Sequence, residues 1–176
     1  MNKSELLELL DNKGIGYSKY DHEPMYTVSD SEKNRIIVNG LHTKNLFLKN
    51  KKNYFCLLSC QEKAVVNLKK FSKSIQAGNL SFANKDYLRE HLGVEPGSVS
   101  PFGLINNKEN NVDFYLDENL YCGEKINFHP LINTSTITIK ITEFVNFMIE
   151  NNKKINIFSL EEYKVTKVLW MMLKTL

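Results

Sequence analysis

The run Gly97-Ser98-Val99-Ser100-Pro101 has the residue types of a main-chain anion cradle. A glycine that admits unusual backbone angles, followed by a stiffening proline, can aim successive amide N–H groups into one cavity and stabilise an oxyanion or a phosphate. The same residues also make an ordinary connector, and the pattern alone leaves both readings open. Ser98 and Ser100 are poor nucleophiles, since no histidine stands in a recognisable elbow arrangement with either. Walker-type and GxGxxG glycine loops, HExxH and GxSxG are absent, which excludes the usual motors and hydrolases. His22, His42, His91 and His129 lack metal-ligand spacing, and Cys56, Cys60 and Cys122 lack CxxC spacing. Neither a metal site nor a disulfide framework is expected, and the three thiols read as small buried hydrophobes.

Charge adds a second candidate. Residues 1–88 hold 14 Lys+Arg against 9 Asp+Glu, whereas residues 89–176 hold 9 against 11. Between Lys44 and Lys73, eight lysines face only Glu62, a net of +7 over 30 residues. Such a patch can hold phosphates through counterion release, in a manner sensitive to salt and blind to base sequence; a solvated lysine-rich face is the alternative.

The elements that must position these groups follow from pattern. The chain has 176 residues, 42% hydrophobic and 24% charged, enough for one domain with a sizeable core. It has neither a run of about 18 apolar residues nor a signal-type N-terminus, so a cytoplasmic protein with no membrane partner is expected. Ser4 caps a first helix that stops at Gly14. Tyr17 to His22 alternates like a strand and is closed by Glu23-Pro24. Ser29 and Glu32 suggest the start of a second helix ending near Asn39-Gly40. Asn45–Lys49 and Tyr54–Cys60 read as a hairpin, and helices follow at 67–76 and 84–92. The stretch Gly93–Gly103, with three glycines and two prolines, admits no continuous helix. Strands are expected at Val112–Leu116, Lys125–Phe128 and Thr134–Ile141, then a helix over Glu143–Glu150 capped by Thr142. The sum is an α+β domain with a curved, mixed or antiparallel sheet surrounded by short helices.

Four segments, in order and in register, now carry a resemblance. His22-Glu23-Pro24-Met25-Tyr26-Thr27-Val28, His42-Thr43-Lys44-Asn45-Leu46-Phe47-Leu48, Leu92 to Leu104, and Phe128-His129-Pro130-Leu131-Ile132-Asn133 resemble the ProX/YbaK family of aminoacyl-tRNA deacylases. The likeness spans about residues 3 to 157. It is nearest the prolyl-tRNA-associated branch, which clears alanine from mischarged proline tRNA. It implies a YbaK-like editing domain over residues 1–158 that needs no cofactor. Lys44 would bind the acceptor end, and the loop of Gly97, Ser98 and Val99, fixed by Pro101, would supply main-chain donors to the ester carbonyl. Asn45 and His129 would hold the terminal nucleotide and ester, while Met25, Tyr26 and Val28 would size the amino-acid pocket. Attack is by water, assisted by the substrate's own ribose hydroxyl, so no protein nucleophile is required. Cysteine removal from the same tRNA, or a silent tRNA-binding module, are the rival functions.

The last segment, 159–176, departs from the family pattern. Leu160, Tyr163, Val168, Leu169, Trp170, Met171, Met172, Leu173 and Leu176 suggest a final apolar helix. It would pack on the domain, build a homodimer, or lie on a membrane surface.

Overall fold

The protein is described by a computed structural model over residues 1–24 and 38–171. The expected helix beginning at Ser29 and the residues Met25, Tyr26 and Val28 lie outside the described residues.

Helix α1 spans Lys3–Asn12 and is capped by Asn2, whose side chain accepts from the Glu5 amide while Glu5 reaches back to the Asn2 amide. The expected cap, Ser4, is thus inside the helix: a two-way Asn–Glu bond satisfies two orphan amides where one serine satisfies one. Strand β1 is Tyr17–Asp21. Strands β2 (Leu41–Lys49) and β3 (Phe55–Gln61) form the expected hairpin. Its turn is held by Asn50, whose Oδ1 accepts from the Lys52 and Tyr54 amides at 2.7 and 3.0 Å.

Helix α2 (Leu68–Ser74), the short strand β4 (Ser81–Phe82) and helix α3 (Lys85–Leu92) come next. Asn84 caps α3, and Gly93 ends it in the left-handed region, as its position predicts. The Gly93–Gly103 stretch contains no α-helix, but its proline opens a 3₁₀ helix over Pro101–Asn106. Gly103 is required there: a Cβ would lie 2.9 Å from the Leu92 carbonyl oxygen. Strand β5 (Val112–Asp117), helix α4 (Glu118–Tyr121), strands β6 (Lys125–Phe128) and β7 (Ser135–Lys140), and helix α5 (Ile141–Glu150) complete the central part. Lys140, not Thr142, occupies the N-cap of α5, because β7 runs directly into the helix and leaves no room for a side-chain cap.

The C-terminal segment corrects the sequence reading. Strand β8 (Ile155–Ser159) pairs antiparallel with β9 (Lys164–Leu169), so the described part of the extension is a hairpin arm rather than a helix. Tyr163 takes a φ of +52° at the turn, and Val165, Thr166 and Val168 favour the extended chain. The arm also joins the same sheet as the rest of the domain, across the boundary expected at residue 158.

Strand order is β1-β7-β6-β2-β3-β5-β8-β9, with β4 on the side of β2. The sheet is mixed: β2–β6, β3–β5 and β5–β8 are parallel and the remaining pairs antiparallel. Parallel strands need both faces covered, and β3 and β8 are buried almost throughout. One face carries Phe47, Phe55, Leu57 and Phe114 against Leu6, Phe102 and Phe144. The other carries Leu48, Cys56 and Leu58 against Phe71 and Phe158. Among the described residues no helix is long and apolar enough to cross a membrane.

Cysteine burial is uneven. Cys56 and Cys60 are enclosed, and desolvation pushes each thiol up to about 12, whereas Cys122 is exposed. A thiol reagent at neutral pH is therefore expected to titrate one equivalent in the folded protein and three after unfolding. Rapid reaction of all three without denaturant would contradict the packing of β3.

Candidate active site

The Gly97 loop owes its shape to its own sequence. Glu95-Pro96-Gly97-Ser98 is a turn closed by the Ser98 amide donating to the Glu95 carbonyl at 3.0 Å. Proline at the second position and glycine at the third, with φ +87°, are the residues a type II turn demands. The Ser98 amide is thereby engaged, which narrows the set of donors expected from the loop. The amides of Gly97, Val99 and Ser100 have no acceptor among the described residues. Pro101 has no amide hydrogen and opens the 3₁₀ helix, fixing the exit of the loop. The Ser100 hydroxyl is fully buried and has no hydrogen-bond partner among the described residues.

Asn45, on β2, joins this loop to the sheet. Its Nδ2 donates to the Val99 carbonyl at 3.0 Å, and its Oδ1 accepts from the buried Ser59 hydroxyl at 2.6 Å. Because the Val99 carbonyl can only accept, the nitrogen end of the amide must face it, so the orientation is fixed and one Nδ2 hydrogen remains for a ligand. Asn45 also lines a cavity of about 70 Å³ with His42, Thr43, Glu62, Asn127 and His129. The structure thus brings Asn45, His129 and the Val99 carbonyl to one place.

Lys44 sits one residue away and behaves differently. Register pairs Lys44 with Cys60 and Asn45 with Ser59, so alternation places the lysine on the opposite face of the strand. Its ammonium donates to the Ala64 carbonyl, in the turn that follows β3 and that carries Glu62, a cavity-lining residue. The charge is therefore held by the turn after β3, on the face of β2 opposite Asn45.

His129 has a defined tautomer. Its Nδ1 lies 2.8 Å from the Ser135 carbonyl, which can only accept, so Nδ1 carries the hydrogen and neutral His129 presents a bare Nε2. Burial and the nearby His22, with ring centroids 5.9 Å apart, depress the pKa of His129 below the usual histidine value. His42, Thr43, Glu62, Asn127 and Thr136 also line the cavity but were not singled out from sequence. His42 and Thr43 lie inside the motif that holds Lys44, and Asn127 beside Phe128-His129, so adjacency to a motif was the available signal.

The model of the aminoacyl-tRNA editing domain matches residues 22–147, which contains β2, the Gly97 loop and His129. The chain belongs to this aminoacyl-tRNA editing family. The prolyl-tRNA editing protein ProX of Acetoanaerobium sticklandii is 32% identical over 140 residues, covering 78% of this chain and 84% of the relative. The prolyl-tRNA synthetase associated domain-containing protein 1 of Xenopus laevis is 33% identical over 151 residues, covering 83% and 89%. The editing-domain fold is also that of a solved structure, a candidate trans-editing enzyme for prolyl tRNA synthetase. It matches with a TM-score of 0.65 at 17% identity and covers 88% of this chain and 95% of the other. In an editing-domain protein, unpaired amides beside a polar cavity are suited to an ester carbonyl whose oxygen becomes anionic.

Proposed function

We propose that this protein is a trans-editing deacylase that hydrolyses alanine esterified to proline tRNA. The observation that carries the reading is the Asn45–Val99 contact, which clamps a loop with three unengaged amides against the strand that bears Lys44. The names of the curated relatives support prolyl-tRNA as the substrate class.

In this reading the terminal adenosine and its ester enter beside Asn45 and His129. Water attacks the ester carbonyl carbon, and the amides of Gly97, Val99 and Ser100 receive the developing oxyanion. The bond from the carbonyl carbon to the ribose oxygen then breaks, that oxygen takes a proton, and free alanine leaves. His129 Nε2 accepts a hydrogen bond from the ribose hydroxyl or the water, Lys44 orients the acceptor end, and positioning supplies most of the acceleration. Lys69, Lys70 and Lys73, which line an open groove on α2, serve as a track for acceptor-stem phosphates. Discrimination against proline is assigned to Met25, Tyr26 and Val28, as the family resemblance implies.

The decisive experiment incubates the protein, with chelator present, with alanyl-, cysteinyl- and prolyl-tRNA of the proline isoacceptor. Loss of the alanyl ester with prolyl-tRNA retained supports the reading. Preferential cleavage of the cysteinyl ester replaces alanine by cysteine, and salt-sensitive binding with every ester intact makes the protein a silent module.

The His129 tautomer predicts a pH dependence. A lowered pKa keeps the ring neutral at pH 7, and acidification through that pKa, below 6.5, converts Nε2 from acceptor to donor. Deacylation is expected to show an acid limb below pH 6.5 that His129→Gln removes. A profile that is the same in both proteins would take His129 out of the reaction.

A further inference from the structure

Beside the candidate active site, the outward face of β1, β7 and β6 carries a second cavity of about 270 Å³. Tyr17, Tyr20, Asn39, Lys125, Lys140 and Glu143 are among its lining residues. Lys125 and Lys140 are directly opposite each other in the β6–β7 register. Like charges in that relation destabilise a sheet unless an anion sits between them. Neither lysine's ammonium forms an ion pair or hydrogen bond among the described residues, although Glu143 lines the same cavity.

This cavity and the first are lined from neighbouring positions of the same strand. Thr136 lines the first and Thr138 the second, two residues apart on one face of β7. The Thr138 hydroxyl donates at 2.6 Å to Asn127 Oδ1, and Asn127 lines the first cavity. From Thr136 to Lys140 the strand advances about 13 Å, the reach of a short length of extended polynucleotide. The surface thus runs from a polar pocket, over a threonine–asparagine bridge, to two unneutralised ammonium groups, with Tyr20 on the same face.

We infer that the Lys125–Lys140 cavity binds the phosphodiesters of the single-stranded RNA that precedes the terminal adenosine. The inference rests on the proposed function, since it takes the first cavity as the seat of that adenosine. The lysines neutralise backbone phosphate, and Tyr20, on the same face of the sheet through its pairing with Thr136, offers a ring on which an unpaired base stacks. Recognition here is of a flexible 3′ overhang, not of the double-helical stem.

The test is fluorescence anisotropy with a 5′-labelled single-stranded RNA hexamer ending in adenosine, on the wild-type chain and a Lys125→Ala/Lys140→Ala variant. Binding to the variant is expected to weaken about tenfold at low salt, with a log–log salt slope shallower by about 1.4, the release expected for two single-strand phosphates. A Lys125→Arg/Lys140→Arg variant should keep most of the affinity. Hydrolysis of alanyl-adenosine, which lacks those phosphates, should be equal in wild type and the alanine variant, while KM for the full alanyl-tRNA rises with kcat unchanged. Wild-type affinity and slope in the alanine variant would overturn the inference. So would equal lysine dependence for a blunt hairpin that has no overhang. If every ester survives yet hexamer binding still needs the two lysines, the proposed function fails and this site stands.

Discussion

Gly97→Val is expected to lower kcat for deacylation by about 10²–10³, the effect of removing one oxyanion donor, while the protein stays folded. The expectation follows from the angle at that position. Gly97 has φ +87°, and a β-branched residue there is strained by on the order of 1–3 kcal/mol. The strain is relieved by rotating the Pro96–Gly97 and Gly97–Ser98 peptide planes, which opens the Ser98-to-Glu95 bond and re-aims the amides that follow. The loop is exposed at Gly97 and anchored on both sides, by Pro96 and by the buried Pro101, so the damage stays local. Single-turnover deacylation and a thermal melt of the same preparation check both halves. Undiminished turnover would remove the main-chain donors from the mechanism.

Lys44→Met is expected to reduce kcat/KM for alanyl-tRNA by about 10- to 100-fold, because a hydrogen bond to a charged group contributes about 1.5–3 kcal/mol. Methionine keeps the aliphatic stem beside Cys60 and removes only the ammonium, so packing on that face is retained. The change also strips a donor from the Ala64 carbonyl, but that turn is partly solvated and water replaces it. The readout that separates electrostatic binding from structure is ionic strength. The wild-type rate should fall with added salt more steeply than that of Lys44→Met. Parallel salt dependences at similar rates would mean that Lys44 only ties down the turn after β3.

Local grammar made much of this architecture readable. Asn84 and Gly93 bracket α3 as written, Lys125–Phe128 is a strand without a residue's error, and the β2–β3 hairpin follows from two apolar runs around a polar turn. Cap positions were missed by two residues at α1 and α5, and the larger error arose where the deciding interaction was distant. The apolar residues after Ser159 have helical spacing in places, yet β8 offers a partner strand, and that pairing outweighs the local preference. The parallel neighbours β3, β5 and β8 are set by topology, which no window of sequence contains. At the site, residue types pointed to the Gly97 loop and the family resemblance to Asn45 and His129, but the Asn45–Val99 contact exists only in the fold. The engagement of the Ser98 amide by Glu95 was legible from Pro96-Gly97, which specify the turn type.

The arm made by β8 and β9 is the last part of the sheet to be synthesised, yet β8 is fully interior and lies against β5. A nascent chain must therefore keep the β5 edge, with Phe114 and Leu116, unsatisfied until residues 155–169 have cleared the ribosomal exit tunnel. For that interval the growing polypeptide presents a sticky border that a holding chaperone is suited to mask.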